Sequence, residues 1–192
     1  MGGLTWVGAG GMACDRAAIK GFMRNDGLFR ERGLMDYSIV RVGKDNYPLF
    51  EAMVFYRING HGRGDCEQIE APDFDAVYET LDNANLYVFA AELEDQFIGW
   101  ISAVYIPKVG RTAGKGHLFV DELYTDPRYR RRGIAQALMK QAEALARELD
   151  ALGLRLYVNT ESAEAISFYK KCGYTSEGAA WFMTKSTPSI SG

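Results

Sequence analysis

The chain has few cysteines, no long apolar run and little net charge, and each shortage excludes a class of protein. Its three cysteines, Cys14, Cys66 and Cys172, are odd in number and scattered, which predicts neither a disulfide framework nor a CxxC metal site. No apolar run reaches the length of a membrane span. No basic region precedes the apolar first residues, which disfavours a secretory signal. We therefore expect a cytoplasmic protein in a reducing compartment.

The charge balance and the length also limit the function. The 22 basic and 25 acidic residues give a net charge of −3, so the chain lacks the basic excess that bulk nucleic-acid binding needs. A chain of 192 residues that is 47% hydrophobic suits one globular domain. We expect that domain at residues 36–185. Residues 1–35 are expected to be an extension, either a packing arm or partly disordered, and residues 186–192 a tail.

Two glycine-containing stretches resemble nucleotide-binding motifs but lack their context. Gly8-x-Gly10-x-x-Ala13 matches a dinucleotide fingerprint, yet the next convincing strand comes only at residues 37–42. Residues 110–115 resemble a P-loop, but no Ser or Thr follows the lysine and no helix begins there. Neither stretch predicts a nucleotide site.

The apolar spacing predicts the order strand, helix, helix, three strands, helix, strand, helix and strand. The strands are expected at residues 37–42, 86–93, 96–105, 118–125, 154–159 and 181–184. The helices are expected at residues 46–56, 74–81, 134–149 and 162–171. Short loops imply that strands two to four are antiparallel, whereas a helical crossover makes strand five parallel to strand four. The fold class is α/β (α+β), with a mixed, mostly antiparallel central sheet and helices on both faces.

A basic turn separates the fourth strand from the long helix that follows it. The first amides of a helix have no intrahelical partner and lie at the positive end of its dipole. We therefore expect a phosphate or pyrophosphate to bind these amides. The residues concerned are Arg131, Arg132, Gly133, Ile134, Ala135 and Gln136.

Two motifs in this half of the chain resemble those of one enzyme family. Arg130-x-x-Gly133-x-Ala135 fits the R/Q-x-x-G-x-G/A pattern of the GNAT superfamily of N-acetyltransferases and follows a strand that ends in Asp-Pro. Residues 165–174, AISFYKKCGY, are similar to the second signature of that family. The motifs come in the family's order with one strand between them, and the resemblance extends over about residues 37–185.

The resemblance implies acetyl-CoA as acyl donor and assigns residues to it. The pantetheine is expected along the fourth strand at Leu123, Tyr124 and Thr125. The pyrophosphate is expected on the basic turn, including Arg130. Many family members have an asparagine where this chain has Ser162, so either Ser162 or the earlier Asn159 is expected to contact the cofactor.

The resemblance also implies a general acid and a general base. Tyr169 matches the tyrosine that protonates the departing thiolate, because a phenol keeps its proton at neutral pH. Glu122 is the first choice for the base that deprotonates the attacking ammonium. Asp121 points to the opposite face of a regular strand, but a β-bulge would reverse that assignment.

The predicted function is direct acetyl transfer to a primary amine in a ternary complex. The expected acceptor is a small molecule, polyamine-like or aminoglycoside-like, bound mainly by residues 59–82. The alternatives are acetylation of a protein N-terminus or lysine, and a non-catalytic acyl-CoA-binding module. A covalent role for Cys172 is disfavoured, since a free cysteine is commonly a small buried apolar residue. We expect no metal, no nucleic acid and no membrane, and the resemblance allows a homodimer.

Overall fold

The computed structural model describes residues 36–62, 73, 78–79, 82–110, 115–179, 181 and 183–185. These residues form a five-stranded sheet. Its strands are β1 Ser38–Arg41, β2 Leu86–Leu93, β3 Gln96–Pro107, β4 Gly116–Thr125 and β5 Leu154–Leu156. The helices are α1 Tyr47–Asn59, α2 Ile134–Glu148 and α3 Ala163–Lys171.

The strands lie in the order in which they occur along the chain, from β1 to β5. Neighbours from β1 to β4 are antiparallel, and β4 pairs with β5 in parallel. The predicted pairing is therefore confirmed, because short loops can join only antiparallel neighbours and α2 supplies the crossover to β5.

A separate apolar cluster covers each face of the sheet. The larger cluster packs α2 against one face, with Leu138, Met139 and Ala142 buried against Ile101 and Leu118. The smaller cluster packs α1 against the other face, with Met53 and Trp100 buried. Helices on both faces are thus confirmed. None of the helices in the described residues is long and apolar enough to cross a membrane.

Two strand predictions differ from the structure by more than two residues. The fifth strand was expected at residues 154–159 but is only Leu154–Leu156 long. The sixth prediction is wrong: residues 181, 183 and 184 are not in a strand, and the side chains of Trp181 and Met183 are 95% and 88% exposed. Alternating apolar residues favour a strand only where a neighbouring edge pairs with them, and β5 remains the edge of the described sheet.

Several predictions lie wholly or mostly outside the described residues. These are the extension at residues 1–35, the tail at 186–192, and much of the loop and helix at 59–82, of which residues 78–79 are helical. The expected domain of residues 36–185 stays a prediction for that reason.

Candidate active site

Strand β4 extends beyond its pairing with β5. They pair at Leu118–Val120 and Leu154–Leu156, and β5 ends there, while β4 continues to Thr125. On its other side β4 stays paired with β3 as far as Thr125. The second half of β4 therefore pairs with β3 along one edge, and no described strand pairs with its other edge, which we call the open edge.

Backbone alternation identifies the groups on that open edge. The amide of Asp126 donates to the carbonyl of Ile98 in β3 at 3.0 Å. Because successive amides of a strand point to opposite sides, those of Leu123 and Thr125 point to the open edge, whereas that of Tyr124 points toward β3. The Thr125 carbonyl accepts a hydrogen bond from Arg130 Nε at 3.3 Å. Of the three residues predicted to contact the pantetheine, Leu123 and Thr125 thus offer amide donors at the open edge.

The hydroxyl of Thr125 is a further polar group at this position. Its Oγ1 atom is buried and has no hydrogen-bond partner among the described residues. A buried hydroxyl without a partner costs free energy, on the order of 1–3 kcal/mol. The position is therefore suited to a ligand or water that completes the hydrogen bond.

The basic turn leads into α2 through two residues with left-handed backbone. Arg131 has φ +61° and Gly133, which precedes the helix, has φ +81°. No side chain caps the helix at Gly133, and the first intrahelical bond runs from the Ala137 amide to the Gly133 carbonyl at 2.9 Å. The amides of the preceding residues, Ile134, Ala135 and Gln136, lie in the first turn, where a helix has no intrahelical acceptors.

The formal charge around this turn is positive and accessible. Arg130, Arg131 and Arg132 are all exposed, and Arg132 also lies over the ring of Tyr129, 5.9 Å from its centroid. Exposed arginines beside a helix N-terminus are suited to bind an anion. The structure brings together the residues that the sequence predicts for a pyrophosphate.

The buried carboxylate of Asp126 fixes the start of the turn. Its Oδ1 accepts from the Arg128 amide at 2.8 Å, and its Oδ2 pairs with Arg128 Nη2 at 2.6 Å. Burial would raise the pKa of Asp126, but the hydrogen bonds and charge of Arg128 outweigh it and lower that pKa. Arg128 also lies over the ring of Tyr56 in α1, 4.9 Å from its centroid.

A bulge in β4 decides which face carries Glu122. Ser102 of β3 pairs with Glu122, but the next residue, Ala103, pairs with Val120, so Asp121 is an extra residue in β4. Before the bulge Val120 packs on the α2 side, and after it Leu123 does so. Glu122 is consequently on the α1 side with Tyr124. The bulge thus reverses the face that a regular strand would give to Glu122 relative to Val120.

On that side Glu122 contacts an arginine, which itself lies over two aromatic rings. Its Oε2 accepts from Nη1 of Arg57 in α1 at 2.9 Å, with the side chains 46% and 38% exposed. The Arg57 guanidinium lies 5.0 Å from the ring centroid of Trp100 and 5.2 Å from that of Tyr124. Trp100 and Tyr124 are themselves 4.5 Å apart.

Tyr169 and its neighbours lie on α3, against the larger apolar cluster. Burial, with a smaller contribution from Cys172, raises the pKa of Tyr169 above its ordinary value. The Tyr174 ring is 5.9 Å away, and its buried hydroxyl has no hydrogen-bond partner among the described residues. Burial also raises the pKa of the Cys172 thiol. A phenol with a raised pKa keeps its proton at neutral pH, and a thiol with a raised pKa carries little thiolate.

The two candidates at the start of α3 differ in their contacts. Oδ1 of Asn159 accepts from the Glu161 amide at 2.9 Å. Ser162 precedes the helix, and its side chain makes no capping hydrogen bond. The Ser162 hydroxyl is thus not used by the helix end, which makes it the more available of the two.

Sequence reasoning missed the residues that act across the fold. Arg57, Trp100 and Arg128 belong to no local motif, and their contacts join α1 to β3, β4 and the turn. The Asp126-Pro127 pair indicates a structured turn, but nothing in the sequence indicates that Arg128 pairs with Asp126. Within the described residues no group of three or more His, Cys, Asp or Glu side chains could hold a metal ion.

Two curated proteins are similar in sequence to part of this chain. GCN5-related N-acetyltransferase 4, chloroplastic, of Arabidopsis thaliana is 33% identical over 92 residues, which are 45% of this chain and 32% of that protein. Streptothricin acetyltransferase of Escherichia coli is 31% identical over 72 residues, 38% of this chain and 41% of that protein. The matches thus span less than half the length of either curated relative.

Solved structures share the fold. An aminoglycoside acetyltransferase from an uncultured soil metagenomic sample, in complex with trehalose, superposes with a TM-score of 0.65 at 19% identity, covering 79% of this chain and 96% of that one. The model of the acetyltransferase (GNAT) family matches residues 52–174. Because that match covers more than half of the chain, including the turn, β4 and α3, this protein belongs to the GNAT family of acetyltransferases.

Proposed function

We propose that this protein transfers the acetyl group of acetyl-CoA directly to a primary amine of a small molecule. The observation that carries the proposal is the open edge of β4, which ends at an uncapped helix N-terminus with three exposed arginines beside it. A long ligand could place an amide-bearing arm along this edge and a pyrophosphate at the helix N-terminus. Coenzyme A is such a ligand, and family membership implies it.

The described residues fit this co-substrate. The amides of Leu123 and Thr125 and the unpartnered Thr125 hydroxyl would hold the pantetheine arm. The first-turn amides of α2, together with Arg130 and Arg131, would hold the pyrophosphate. Ser162 would contribute a hydroxyl from the start of α3. The co-substrate supplies an acetyl group activated as a thioester.

The proton chemistry is assigned to Glu122 and Tyr169. Glu122 takes the proton of the acceptor's ammonium, directly or through water, so that the amine can attack. Tyr169 holds a proton on its phenol oxygen and gives it to the departing thiolate. Its burial supports this role, because the raised pKa keeps the phenol protonated at neutral pH.

A small amine is the preferred acceptor class. A carboxylate and two aromatic rings that contact the same cation are a chemical match for an ammonium group, and Glu122, Trp100 and Tyr124 all contact the guanidinium of Arg57. The names of two similar proteins, streptothricin acetyltransferase and an aminoglycoside acetyltransferase, point to the same class. We therefore favour aminoglycoside-like and polyamine acceptors over protein N-termini or lysines.

The direct experiment combines binding and turnover. Melting temperature is measured with and without acetyl-CoA, and thiol release is then followed over a panel of aminoglycosides, polyamines and peptides with free N-termini or lysines. We expect a rise in melting temperature by mass action and amine-dependent thiol release with members of the first two groups. Product from peptides alone would move the assignment to protein acetylation. A melting shift without release from any amine would leave only a binding module.

A further inference from the structure

We propose that Arg57 is a displaceable internal cation that occupies the acceptor's ammonium site in the free protein and thereby sets amine selectivity. The inference rests on the proposed function, since it concerns the acceptor site of that reaction. It assigns Arg57 neither to catalysis nor to the co-substrate.

The geometry around Arg57 is that of a bound cation. One Nη1–Oε2 contact of 2.9 Å joins it to Glu122, and its guanidinium lies within 5.2 Å of the Trp100 and Tyr124 ring centroids. Carboxylates and aromatic faces are also the groups that bind an ammonium ligand. Arg57 therefore satisfies the same chemistry that an acceptor would use.

The contact also engages the proposed base. Oε2 of Glu122 accepts its hydrogen bond from Arg57, so the guanidinium holds one of the two oxygens that could take the proton of an acceptor. When Arg57 leaves, the oxygen becomes available and the ring faces become open to a ligand. The ammonium of an acceptor and the guanidinium of Arg57 thus compete for the same oxygen and the same ring faces.

The Arg57 side chain can move away from Glu122 because it lies partly at the surface. It lies in the last turn of α1, with its side chain 38% exposed, and the Glu122 side chain is 46% exposed. Ion pairs and cation–π contacts at such exposure are weak. A long arginine side chain can rotate into solvent without moving the helix. An acceptor binds only if its ammonium gains more from Glu122 and the two rings than the guanidinium of Arg57 does, and this difference selects among amines.

The test measures cation binding without turnover. Wild type, Arg57→Gln, Arg57→Lys and the double variant Arg57→Gln/Glu122→Gln are titrated with n-butylammonium chloride. Sodium chloride at equal ionic strength is the blank, and the melting temperature is the readout. Arg57→Lys is the matched control because it keeps a cation on a flexible stem. If Arg57→Gln does not unfold cooperatively, Arg57→Met, which keeps the apolar stem, replaces it.

We expect the half-saturating n-butylammonium concentration to fall by about tenfold in Arg57→Gln, as loss of an exposed ion pair and its ring contacts would give. Arg57→Lys should stay near wild type, and the double variant should lose the gain. An unchanged or higher concentration in Arg57→Gln would overturn the proposal.

Kinetics separate this inference from the proposed function. With any amine that the wild type acetylates, Arg57→Gln should lower the KM for the amine. A fall in kcat with no change in that KM would mean that Arg57 merely holds Glu122 in place, and the inference would fail. If the wild type acetylates no amine, the proposed function fails, while the n-butylammonium titration still decides whether Arg57 occupies a cation site.

Discussion

The backbone amide of Glu122 donates to the side-chain hydroxyl of Ser102 at 3.2 Å, at the point where the β3–β4 register shifts. A side chain thus supplies the acceptor where the bulge interrupts the ladder of backbone carbonyls. Because the bulge turns Glu122 toward α1, this bond helps to determine on which side of the sheet the proposed base lies.

Glu122→Gln should lower kcat by about a hundredfold or more, because the amide cannot take a proton. Steady-state kinetics with an accepted amine measures this. Asp121→Asn is the matched control, since Asp121 is the adjacent exposed carboxylate and occupies the bulge. The assignment of the base would be reversed if Asp121→Asn lost activity while Glu122→Gln kept it.

Tyr169→Phe should lower kcat by about a hundredfold through loss of the proton donor, with the melting shift caused by acetyl-CoA unchanged. Because burial raises the pKa of Tyr169 above its ordinary value, the wild-type kcat should not decline through loss of this proton between pH 7 and about 10. A phenylalanine variant with wild-type kcat would remove the general-acid role.

Arg131→Glu and Gly133→Glu should each abolish the rise in melting temperature that acetyl-CoA causes. The first places a negative charge at the proposed pyrophosphate site, and the second also strains a residue with φ +81°. Arg147→Glu, an exposed reversal in the last turn of α2, is the control and should keep the shift. An undiminished shift in both loop variants would place the pyrophosphate elsewhere.

Asp126→Asn should lower the free energy of unfolding by about 1–3 kcal/mol, since a buried acceptor of Arg128 loses its charge. The lowered pKa of Asp126 means that its contribution is complete above the unfolded value of about 3.9 and is lost as pH falls through the folded value. Denaturant unfolding from pH 7 to pH 3 should therefore show the difference between wild type and variant shrinking below about pH 4. A constant difference across this range would contradict the assignment.

Cys172→Ala should keep most of the transfer rate. Burial raises the pKa of the thiol, which leaves little thiolate to act as a nucleophile at neutral pH. Mass spectrometry of the wild type after mixing with acetyl-CoA, without an acceptor, should show no acetylated Cys172. An acetyl-enzyme at this residue would replace direct transfer with a two-step route.

The sequence predicts local features of this protein well and distant contacts poorly. The bounds of β2 match the prediction, and the start of α2 at Ile134 follows from an apolar stripe next to a glycine. The bulge at Asp121 could not be predicted, because an extra residue changes register without changing the alternation on either side. Arg57 could not be found either, since its partner Glu122 is 65 residues away in the chain.

The early end of β5 bears on how this site tolerates mutation. A ligand that hydrogen-bonds to the open edge of β4 meets backbone amides, which every residue except proline carries in the same form. The side chain at Leu123 can therefore vary with little effect on such binding, provided that it fits its own surroundings. Substitutions can then change the residues that bind the amine while the backbone of β4 continues to bind acetyl-CoA.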